Sequence, residues 1–407
     1  MGPYPSARRW IAAGLPLAGA LAALLVFATG GCNGLLGTPD PERAPDGGAD
    51  ASLDVTASDV TAQDTAVQDE PSVEGSTVDS APVEAGGPPS CAGDGGPGVT
   101  TCGTTGDSCC NSFLVEGGTY SRAFDAGPDG GATAPSAPAT VSSFRLDEYE
   151  VTVGRFRQFV AATHAGWTPI AGSGIHTQVN GGKGLEQIGQ GTTTYETGWD
   201  TVWGASMSQA DGNGEGFWDT TLESCTPYTW TSTPGSQENL PLNCVNWFEA
   251  YAFCIWDGGF LPSSAEWEYA ATGGSWQREY PWGGTDPGVE SQYAIYGCEY
   301  PDGGGEQDGG TCNSVSNIAP VGSAPLGAGR WAQLDLAGNV HEPVFDYYFL
   351  DYVSPCTDCA ELVPATTRVA PGGSFLVGEG ALLSQYRAWY PPAVRDEKGG
   401  IRCARAP

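Results

Sequence analysis

The most constraining feature of this sequence is the stretch of residues 33–90, which contains no aromatic residue and no cysteine. It carries twelve acidic residues against one base, Arg43, and an aspartate recurs every five residues from Asp54 to Asp69. Such a composition buries too little apolar area to offset the entropy lost on ordering. We therefore predict that residues 32–90 form a disordered, self-repelling acidic tether and that the packed domain lies beyond it.

The residues before the tether have the pattern of an export signal. Two arginines precede a mainly apolar run over residues 10–28, and three small residues then precede Cys32. Because the apolar run is short and ends in small residues, residues 1–31 are predicted to be a signal peptide and not a fold element. Small residues directly before a cysteine resemble a lipobox, which predicts lipidation of Cys32. The alternative is an ordinary secretory signal that leaves Cys32 free.

Cysteine usage indicates an oxidising compartment. The chain has 13 cysteines and 2 methionines, and setting Cys32 aside leaves an even set of twelve for disulfides. A diacylated Cys32 gives a stable anchor. We expect a lipid-anchored protein of the cell envelope, in the outer membrane or on the cell surface, and otherwise a periplasmic or secreted one.

The charge balance excludes one class of partner. There are 16 Lys and Arg against 48 Asp and Glu, a formal net charge of −32. Binding to a phosphate backbone needs clustered Lys and Arg. Nucleic acid is therefore not expected as a partner, and contact with a membrane is expected only through the lipid anchor.

Four cysteines cluster directly after the tether. Cys91, Cys102, Cys109 and Cys110 define a small cysteine-rich collar over residues 91–111. A zinc knuckle would need closely spaced thiolate pairs in a reducing compartment. Two disulfides are the simpler interpretation.

Helical patterns occur in two parts of the remaining chain. Apolar residues recur with helical spacing over residues 152–163, with Thr152 as N-cap. Asn246 precedes a second such run, and Ser263 or Ser264 precedes a third. These positions predict three short helices.

The rest of residues 112–407 is punctuated by glycine. Residues 141–146 have the pattern of a strand, whereas residues 165–240 are rich in Gly, Thr and Trp and predict long loops with little regular structure. Short helices among glycine-punctuated strands predict an α+β domain with extensive irregular structure.

Several separate motifs of this domain are similar to those of the sulfatase-modifying-factor (formylglycine-generating enzyme) family. In chain order they are Phe144 to Thr152, Pro241 to Trp256, Leu261 to Ala271, Tyr280 to Gly284, Pro320 to Ser323, Asp335 to Glu342, Arg368 to Phe375 and Gly400 to Arg405. The resemblance implies a variant of the C-type-lectin-like fold, with two helices around a twisted antiparallel sheet, over residues 112–407.

The resemblance also implies a catalytic pair that this chain lacks. Formylglycine-generating enzymes oxidise a cysteine of a sulfatase peptide to an aldehyde with oxygen and copper, which two cysteines bind because soft sulfur ligands select Cu(I). Those cysteines lie three and eight residues after the Ser of the Gly-Gly-Ser motif. Counted from Ser374, these positions hold Val377 and Leu382. No cysteine lies between Cys359 and Cys403, so we expect neither copper nor formylglycine formation by the known mechanism.

A second branch of the family comprises iron-dependent sulfoxide synthases with a three-histidine site. This chain has three histidines, His164, His176 and His341, which lie far apart in sequence. An iron site would have to use all of them. Isolated histidines in loops are the favoured interpretation, and iron is not expected.

The family also has a structural calcium site in a loop that corresponds to Asp335 to Glu342. The resemblance implies the carboxylates of Asp335 and Glu342 and the backbone carbonyls of Gly338 and Val340 as ligands, a mixture that suits hard Ca²⁺. The sequence departs from the family pattern at His341 and at the residue after Glu342. The alternative is a tight turn in which Glu342 is only hydrogen-bonded.

The resemblance implies a disulfide between Cys254 and Cys403, which would tie the carboxyl terminus to a helix. Cys225 with Cys244, and Cys298 with Cys312, are candidate local pairs. Cys356 and Cys359 form a C-x2-C motif. Because no helix pattern follows this motif, a structural disulfide is favoured over a redox site.

These observations favour a binding module displayed on the envelope over an enzyme. The expected ligand is a glycan or an extended peptide or protein, bound in a groove lined by aromatic residues, with Ser374, Tyr386 and Arg387 as candidate groove residues. One alternative is an oxidoreductase of the sulfatase-modifying-factor and nonheme-iron superfamily with a relocated metal site. Another is an envelope scaffold whose acidic face binds a basic partner protein.

Overall fold

The computed structural model describes residues 87–92, 95–122, 137–189, 192–207, 217–301 and 312–407. The predicted signal peptide, the lipidation site Cys32 and nearly all of the predicted tether lie outside these residues. Among the helices in the described ranges, none is long and apolar enough to cross a membrane.

Short elements separated by long connections make up the described part. The helices are α1 (Val153–His164), α2 (Phe217–Leu222), α3 (Trp247–Trp256) and α4 (Ser264–Ala271). The strands are β1 (Ser112–Val115), β2 (Gly118–Ser121), β3 (Pro138–Val141), β4 (Phe144–Asp147), β5 (Glu186–Gly189), β6 (Thr192–Tyr195), β7 (Cys356–Thr357), β8 (Arg368–Pro371), β9 (Arg387–Tyr390) and β10 (Ala404–Arg405). The predicted α+β class is confirmed.

The three helices predicted from sequence begin at side-chain caps. The Thr152 hydroxyl accepts the Arg155 backbone N–H at 3.1 Å, which starts α1. Asn246 and Glu249 form a reciprocal capping box at the start of α3, and Ser263 and Glu266 form another at α4. Each cap satisfies backbone donors that have no partner within the helix. These local hydrogen bonds explain why the helix starts could be read from the sequence.

The strands form several small sheets. One has the order β1-β4-β10 and is antiparallel, so the carboxyl terminus pairs with β4. A second has the order β2-β3-β7, in which β3 and β7 are parallel. The pairs β5-β6 and β8-β9 are separate antiparallel hairpins. The predicted single strand over residues 141–146 is instead the end of β3, a two-residue connection and most of β4.

The region of residues 165–240 is more regular than predicted. It contains the β5-β6 hairpin and helix α2. The backbone N–H of Glu186 donates to the Asp358 carbonyl, and the Ala360 N–H donates to the Glu186 carbonyl, at 3.0 Å each. A tertiary contact with the segment around Cys359 therefore stabilises this hairpin, which is why local composition failed to predict it.

Two hydrophobic clusters account for most of the core. The larger joins α1, α2 and α3 through aromatic rings, for example Phe156 stacked on Phe253 with ring centroids 5.5 Å apart. The other joins α4 to the β1-β4-β10 and β2-β3-β7 sheets through residues such as Phe144 and Trp267. Helices α1, α2 and α3 therefore share one cluster, and α4 packs with the two three-stranded sheets in the other.

Disulfides link segments of the chain throughout the described part. The bonds are Cys91–Cys110, Cys102–Cys109, Cys225–Cys244, Cys254–Cys403, Cys298–Cys312 and Cys356–Cys359. The bond between Cys254 and Cys403 joins α3 to the segment before β10, across 149 positions of sequence. Closing so long a loop removes many conformations from the unfolded chain.

The collar of residues 91–111 packs directly against the rest of the domain. Cys102 and Cys109 belong to one buried cluster with Tyr149 and Val321. The backbone N–H of Ser90, just before the collar, donates to the Asp257 carboxylate at 2.9 Å. The collar is thus part of the same compact unit as the helices.

A buried arginine connects the collar, α1, β4 and the end of α3. Arg155 on α1 pairs with Asp147 at 3.0 Å and with Asp257 at 2.5 Å, and all three side chains are fully buried. Arg155 also donates to the Ser90 hydroxyl and to the Cys109 carbonyl. Arg405 in β10 binds the same two carboxylates. Two cations therefore neutralise two buried anions where four segments meet, as a buried charge requires.

A second buried ion cluster lies beneath the β5-β6 hairpin. The fully buried His176 places Nδ1 2.9 Å from Glu196 and Nε2 3.3 Å from Glu266. Burial lowers the pKa of His176, but the charges and hydrogen bonds of the two carboxylates outweigh burial and raise it to about 10. By contrast, burial and the charge of Lys398 lower the pKa of His341 to about 3.

Replacing Arg155 with methionine should destabilise the fold. Asp147 and Asp257 would remain buried with one cation between them, so we expect a loss of about 3 kcal/mol in the free energy of unfolding. Urea denaturation under oxidising conditions measures this loss. Lys183→Met, at an exposed position where the ammonium contacts the Tyr195 ring, is the control and should change stability by less than about 1 kcal/mol. Equal effects of the two substitutions would contradict the structural role of Arg155.

The two buried histidines should hold opposite charge states near neutral pH. We expect nitrogen-resolved NMR of the imidazoles to show His176 doubly protonated and His341 neutral throughout pH 5–8. Because the folded pKa of His176 exceeds the unfolded value of about 6.5, its stabilising contribution is complete below that pH and is lost as the pH rises toward 10. A His176 resonance that titrates near pH 6.5 would contradict the arrangement.

Candidate functional site

The candidate site is built around the β8-β9 hairpin and the connection between its strands. Gly372 and Gly373 follow β8 with φ of 94° and 70°, a conformation that glycine adopts without strain. A Cβ on Gly373 would lie 2.7 Å from the Ala381 carbonyl oxygen. The two glycines therefore let the chain fold back closely on the turn around Ala381.

Ser374 is fully buried in this connection. Its carbonyl accepts the Val377 N–H at 3.2 Å, and its hydroxyl accepts the Leu376 N–H at 3.4 Å. The neighbouring Phe375 packs into a cluster that includes Ile295 and Ile318. Ser374 therefore contributes to the packing of the turn and offers no surface to a groove.

Val377 and Leu382 flank a single 3-10 turn, Glu379–Ala381. Val377 is half-buried, and its carbonyl accepts the Gly297 N–H at 2.9 Å. Leu382 is 1% exposed and packs in a cluster with Tyr280 and Tyr296. The position that would carry a reactive thiol in the family is thus filled by an aliphatic side chain packed among aromatic rings.

The aromatic rings beside Leu382 are themselves held in place. Tyr280 stacks on Trp282 with ring centroids 4.9 Å apart and an interplanar angle of 3°. The Tyr280 hydroxyl donates to Glu379 at 2.8 Å. Glu379 belongs to the 3-10 turn, so the turn and the aromatic pair fix each other.

A narrow cleft lies beside strand β9. Tyr386 and Arg387 line it together with Ser264, Trp267, Glu268, Pro371, Ser384 and Gln385. The cleft is too narrow to hold a water molecule in this structure. The structure therefore brings two of the three sequence-predicted groove residues together, and Ser374 lies elsewhere.

Glu268 supplies the buried carboxyl group of this cleft. It lies on α4, and its Oε2 accepts the Tyr352 hydroxyl at 3.3 Å. Burial raises the pKa of Glu268 to about 8, against the opposing charges of Arg387 and Arg122. Near neutral pH the carboxyl is therefore largely protonated and can both donate and accept a hydrogen bond.

An aromatic strip leads from Glu268 to the surface, and we define it as Tyr352, Arg387, Tyr348 and Trp389. The Arg387 guanidinium lies 4.3 Å from the Tyr352 ring centroid and 5.3 Å from that of Tyr348. The Tyr348 and Trp389 centroids are 6.2 Å apart. Trp389 is 57% exposed. The strip thus combines flat aromatic faces with a cation.

Sequence reasoning missed Glu268 and Tyr352. Two glutamates occur in the short α4 motif, and Glu266 is explained by its role in the capping box. Glu268 has no capping role, and a charged residue in an otherwise apolar helix is the sequence signal that could have identified it. No local pattern indicated Tyr352, because only the fold brings it to α4.

The residues predicted to bind calcium lie in a buried polar network. Asp335 accepts the Gly322 N–H at 2.6 Å, and burial raises its pKa to about 6. The two carboxylate oxygens of Glu342 are engaged by Arg402 at 2.7 Å and by the Trp267 indole N–H at 2.5 Å. A cation already neutralises Glu342, so these contacts do not fit a calcium ion shared by Asp335 and Glu342.

The other two predicted ligands, the carbonyls of Gly338 and Val340, belong to the same loop. Gly338 has a φ of 88° and donates its N–H to the Gly372 carbonyl, and the Val340 N–H donates to Glu150. Across the described ranges, no three or more His, Cys, Asp and Glu side chains come together in a way that could hold a metal ion. The calcium site stays a prediction that this geometry does not support.

The three histidines have separate surroundings. His164 is exposed at the end of α1, His176 lies between Glu196 and Glu266, and His341 is buried with its backbone N–H bonded to the Lys398 carbonyl. The structure does not assemble them into one site.

Comparison with known proteins identifies the scaffold. A family model described as the sulfatase-modifying factor enzyme 1-like domain matches residues 101–407. A formylglycine-generating enzyme of Thermomonospora curvata is 30% identical over 314 residues, which cover 72% of this chain and 92% of the relative. A Mus musculus protein named inactive C-alpha-formylglycine-generating enzyme 2 is 27% identical over 236 residues, 56% of this chain and 66% of the relative.

Among solved structures, PvdO from Pseudomonas aeruginosa is 19% identical with a TM-score of 0.45, and the match covers 77% of this chain and 100% of that chain. The family match spans the collar from residue 101, the helices and the β8-β9 hairpin. The resemblance predicted from sequence motifs is therefore confirmed. The chain belongs to the sulfatase-modifying factor enzyme 1-like (formylglycine-generating enzyme) family.

Proposed function

We propose that this chain is a noncatalytic member of its family that acts as a binding module on the cell envelope. The observation that carries the proposal is the replacement of the thiol pair by Val377 and Leu382, with Leu382 buried among aromatic rings. An aliphatic side chain can neither bind copper nor exchange with a substrate thiol.

The remaining thiols of the domain do not offer a substitute. All twelve cysteines from Cys91 to Cys403 are joined in disulfides. One relative carries the word inactive in its name, so loss of the activity on this scaffold has a parallel in the family. A domain that keeps its scaffold without the reactive pair is suited to binding.

The surface proposed to bind is the aromatic strip with Tyr386 beside it. Trp389 and Tyr386 are 57% and 37% exposed, and the half-buried Arg387 adds positive charge and hydrogen-bond donors beside them. Flat aromatic faces next to polar groups suit the ring faces and hydroxyls of a glycan, or the side chains of an extended peptide. The ligand class we propose is therefore a glycan or an extended peptide segment.

Binding should depend on Trp389. Glycan and peptide arrays probed with the purified protein would identify the ligand class, and titration of the best probe would give its affinity. Trp389→Ala removes the exposed ring and should weaken binding about tenfold. Trp276→Ala is the control, because Trp276 is 59% exposed but lies outside the strip and the cleft. Equal affinity of wild type and Trp389→Ala would contradict the proposed surface.

We further propose that the domain is exported and anchored through Cys32. The support is the signal-like sequence of residues 1–31, the small residues before Cys32 and the disulfide-rich domain that follows. The acidic tether would hold the domain away from the membrane, because like charges extend a flexible chain.

Lipidation can be tested by replacing a single residue. In a bacterium that processes lipoproteins, the wild type should incorporate radiolabelled fatty acid and fractionate with membranes. Cys32→Ser should abolish both properties, and Asn33→Ser should change neither. Membrane fractionation that persists without Cys32 would contradict the anchor.

A further inference from the structure

A cavity of about 490 Å³ opens on the opposite end of the β8-β9 hairpin from the narrow cleft. It lies between the β5-β6 hairpin with the loop that follows it and the segment that leads into β8. Its walls include Tyr195, Trp203, Tyr347 and Val363, and its charged lining residues are Glu196, Asp200 and Arg368. The volume is within the range of small-molecule sites in proteins.

Arg368 is a buried cation in the wall of this cavity. It is 3% exposed, and its guanidinium lies between two rings, 3.8 Å from the Trp247 centroid and 3.5 Å from that of Tyr347. One amino group donates to the Phe345 carbonyl oxygen. Its Nε has no hydrogen-bond partner in the described part of the chain. The rings and one carbonyl thus fix the orientation of the guanidinium and leave its hydrogen-bonding capacity partly unused.

No carboxylate of the described residues forms an ion pair with Arg368. Burial lowers its pKa to about 10, although nearby groups that include Asp346 oppose the change. The Asp346 oxygens accept the Ser264 and Glu361 backbone N–H groups and are already engaged. An arginine in this position lacks the counterion that a buried charge requires.

Of the other three buried arginines in the described residues, Arg155 and Arg402 show the usual solution, whereas Arg122 donates to the Ala137 and Val353 carbonyls. Arg155 pairs with Asp147 and Asp257, and Arg402 pairs with Glu342 at 2.7 Å. The pKa values of both are raised, because burial is outweighed by the attached carboxylates. Arg368 differs from them in lacking such a partner and in facing a cavity.

The other charges of the cavity are negative. Glu196 and Glu266 both contact the protonated His176, so two carboxylates are paired with one cation. Asp200 is exposed, and one of its oxygens accepts the Val202 N–H. A polyanion such as a nucleotide would be repelled by these carboxylates. A ligand with a single carboxylate next to an ammonium or amide N–H group would complement both the positive Arg368 and the negative charge of the cavity.

We propose that this cavity binds the α-carboxylate of an apolar amino acid, either free or as the last residue of a peptide. The carboxylate would complete the ion pair of Arg368, as arginine does for planar oxyanions. The apolar side chain would lie against Trp203 and Tyr347. The amino or amide nitrogen would face the exposed Asp200, since the Glu196 carboxylate is fully buried against His176.

This inference does not rest on the proposed function, because the cavity shares no lining residue with the narrow cleft. Trp389→Ala, which should weaken binding at the aromatic strip, should leave binding at this cavity unchanged. Failure of either proposal therefore leaves the other intact.

The test is a calorimetric titration of the full-length protein with L-phenylalanine, N-acetyl-L-phenylalanine and L-phenylalaninamide. The first two carry the carboxylate and the third lacks it. We expect the better of the two acids to bind at least about tenfold more tightly than the amide, since a desolvated charge pair contributes more than 1.4 kcal/mol. Tighter binding of the free acid indicates a free amino acid as ligand, and tighter binding of the acetylated acid indicates a peptide terminus.

Arg368→Gln should reduce acid binding at least about tenfold. Because this side chain is buried and its replacement can unfold the domain, a surface variant provides a second test. Val363→Asp places a negative charge at a cavity position that is 51% exposed and should weaken acid binding about fivefold. Val289→Asp, at a position 54% exposed and outside the cavity lining, should leave binding unchanged.

Three results would overturn the proposal. One is the absence of acid binding with a Kd below about 10 mM. Another is equal affinity for the acids and the amide. The third is a Val363→Asp variant that binds the acids like the wild type.

Discussion

The ion cluster of Arg155, Asp147, Asp257 and Arg405 is the interaction on which the rest of the domain depends. It joins α1, the end of β4, the end of α3 and β10, and it also binds the collar through Ser90 and Cys109. With only short strands and helices available, the domain relies on such long-range polar contacts and on disulfides to fix its connections. The β8-β9 hairpin belongs to the same compact unit as this cluster.

The same frame explains how the family's reactive position could change without loss of the fold. The chain turns at Gly372 and Gly373, and the turn is held by backbone hydrogen bonds that the Gly297 and Cys298 N–H groups donate to the Val377 and Phe375 carbonyls. None of these contacts requires a thiol. Leu382 places an apolar side chain in an aromatic cluster, where its burial is favourable. The fold is therefore maintained without the reactive cysteines.

Sequence reasoning succeeded where the determining contacts are local. Thr152, Asn246 and Ser263 cap helices within three residues of themselves, so the pattern and the structure agree. The β5-β6 hairpin, the Glu268–Tyr352 contact and the environment of Arg368 depend on residues more than eighty positions apart or on tertiary packing, and no local signal contained them. The groove prediction was therefore partial: Tyr386 and Arg387 line a cleft, whereas Ser374 is buried.

We expect this domain to lack formylglycine-generating activity, because Val377 and Leu382 stand in place of the thiol pair. The most direct measurement is mass spectrometry of a cysteine-containing sulfatase peptide incubated with the purified protein, Cu(I), a reductant and oxygen. The Thermomonospora curvata formylglycine-generating enzyme serves as the positive control in the same buffer. We expect the relative to convert the cysteine to the aldehyde and this protein to leave the peptide unchanged. Catalytic conversion by this protein, above the rate with copper alone, would show that the domain is an enzyme and would overturn the proposed noncatalytic role.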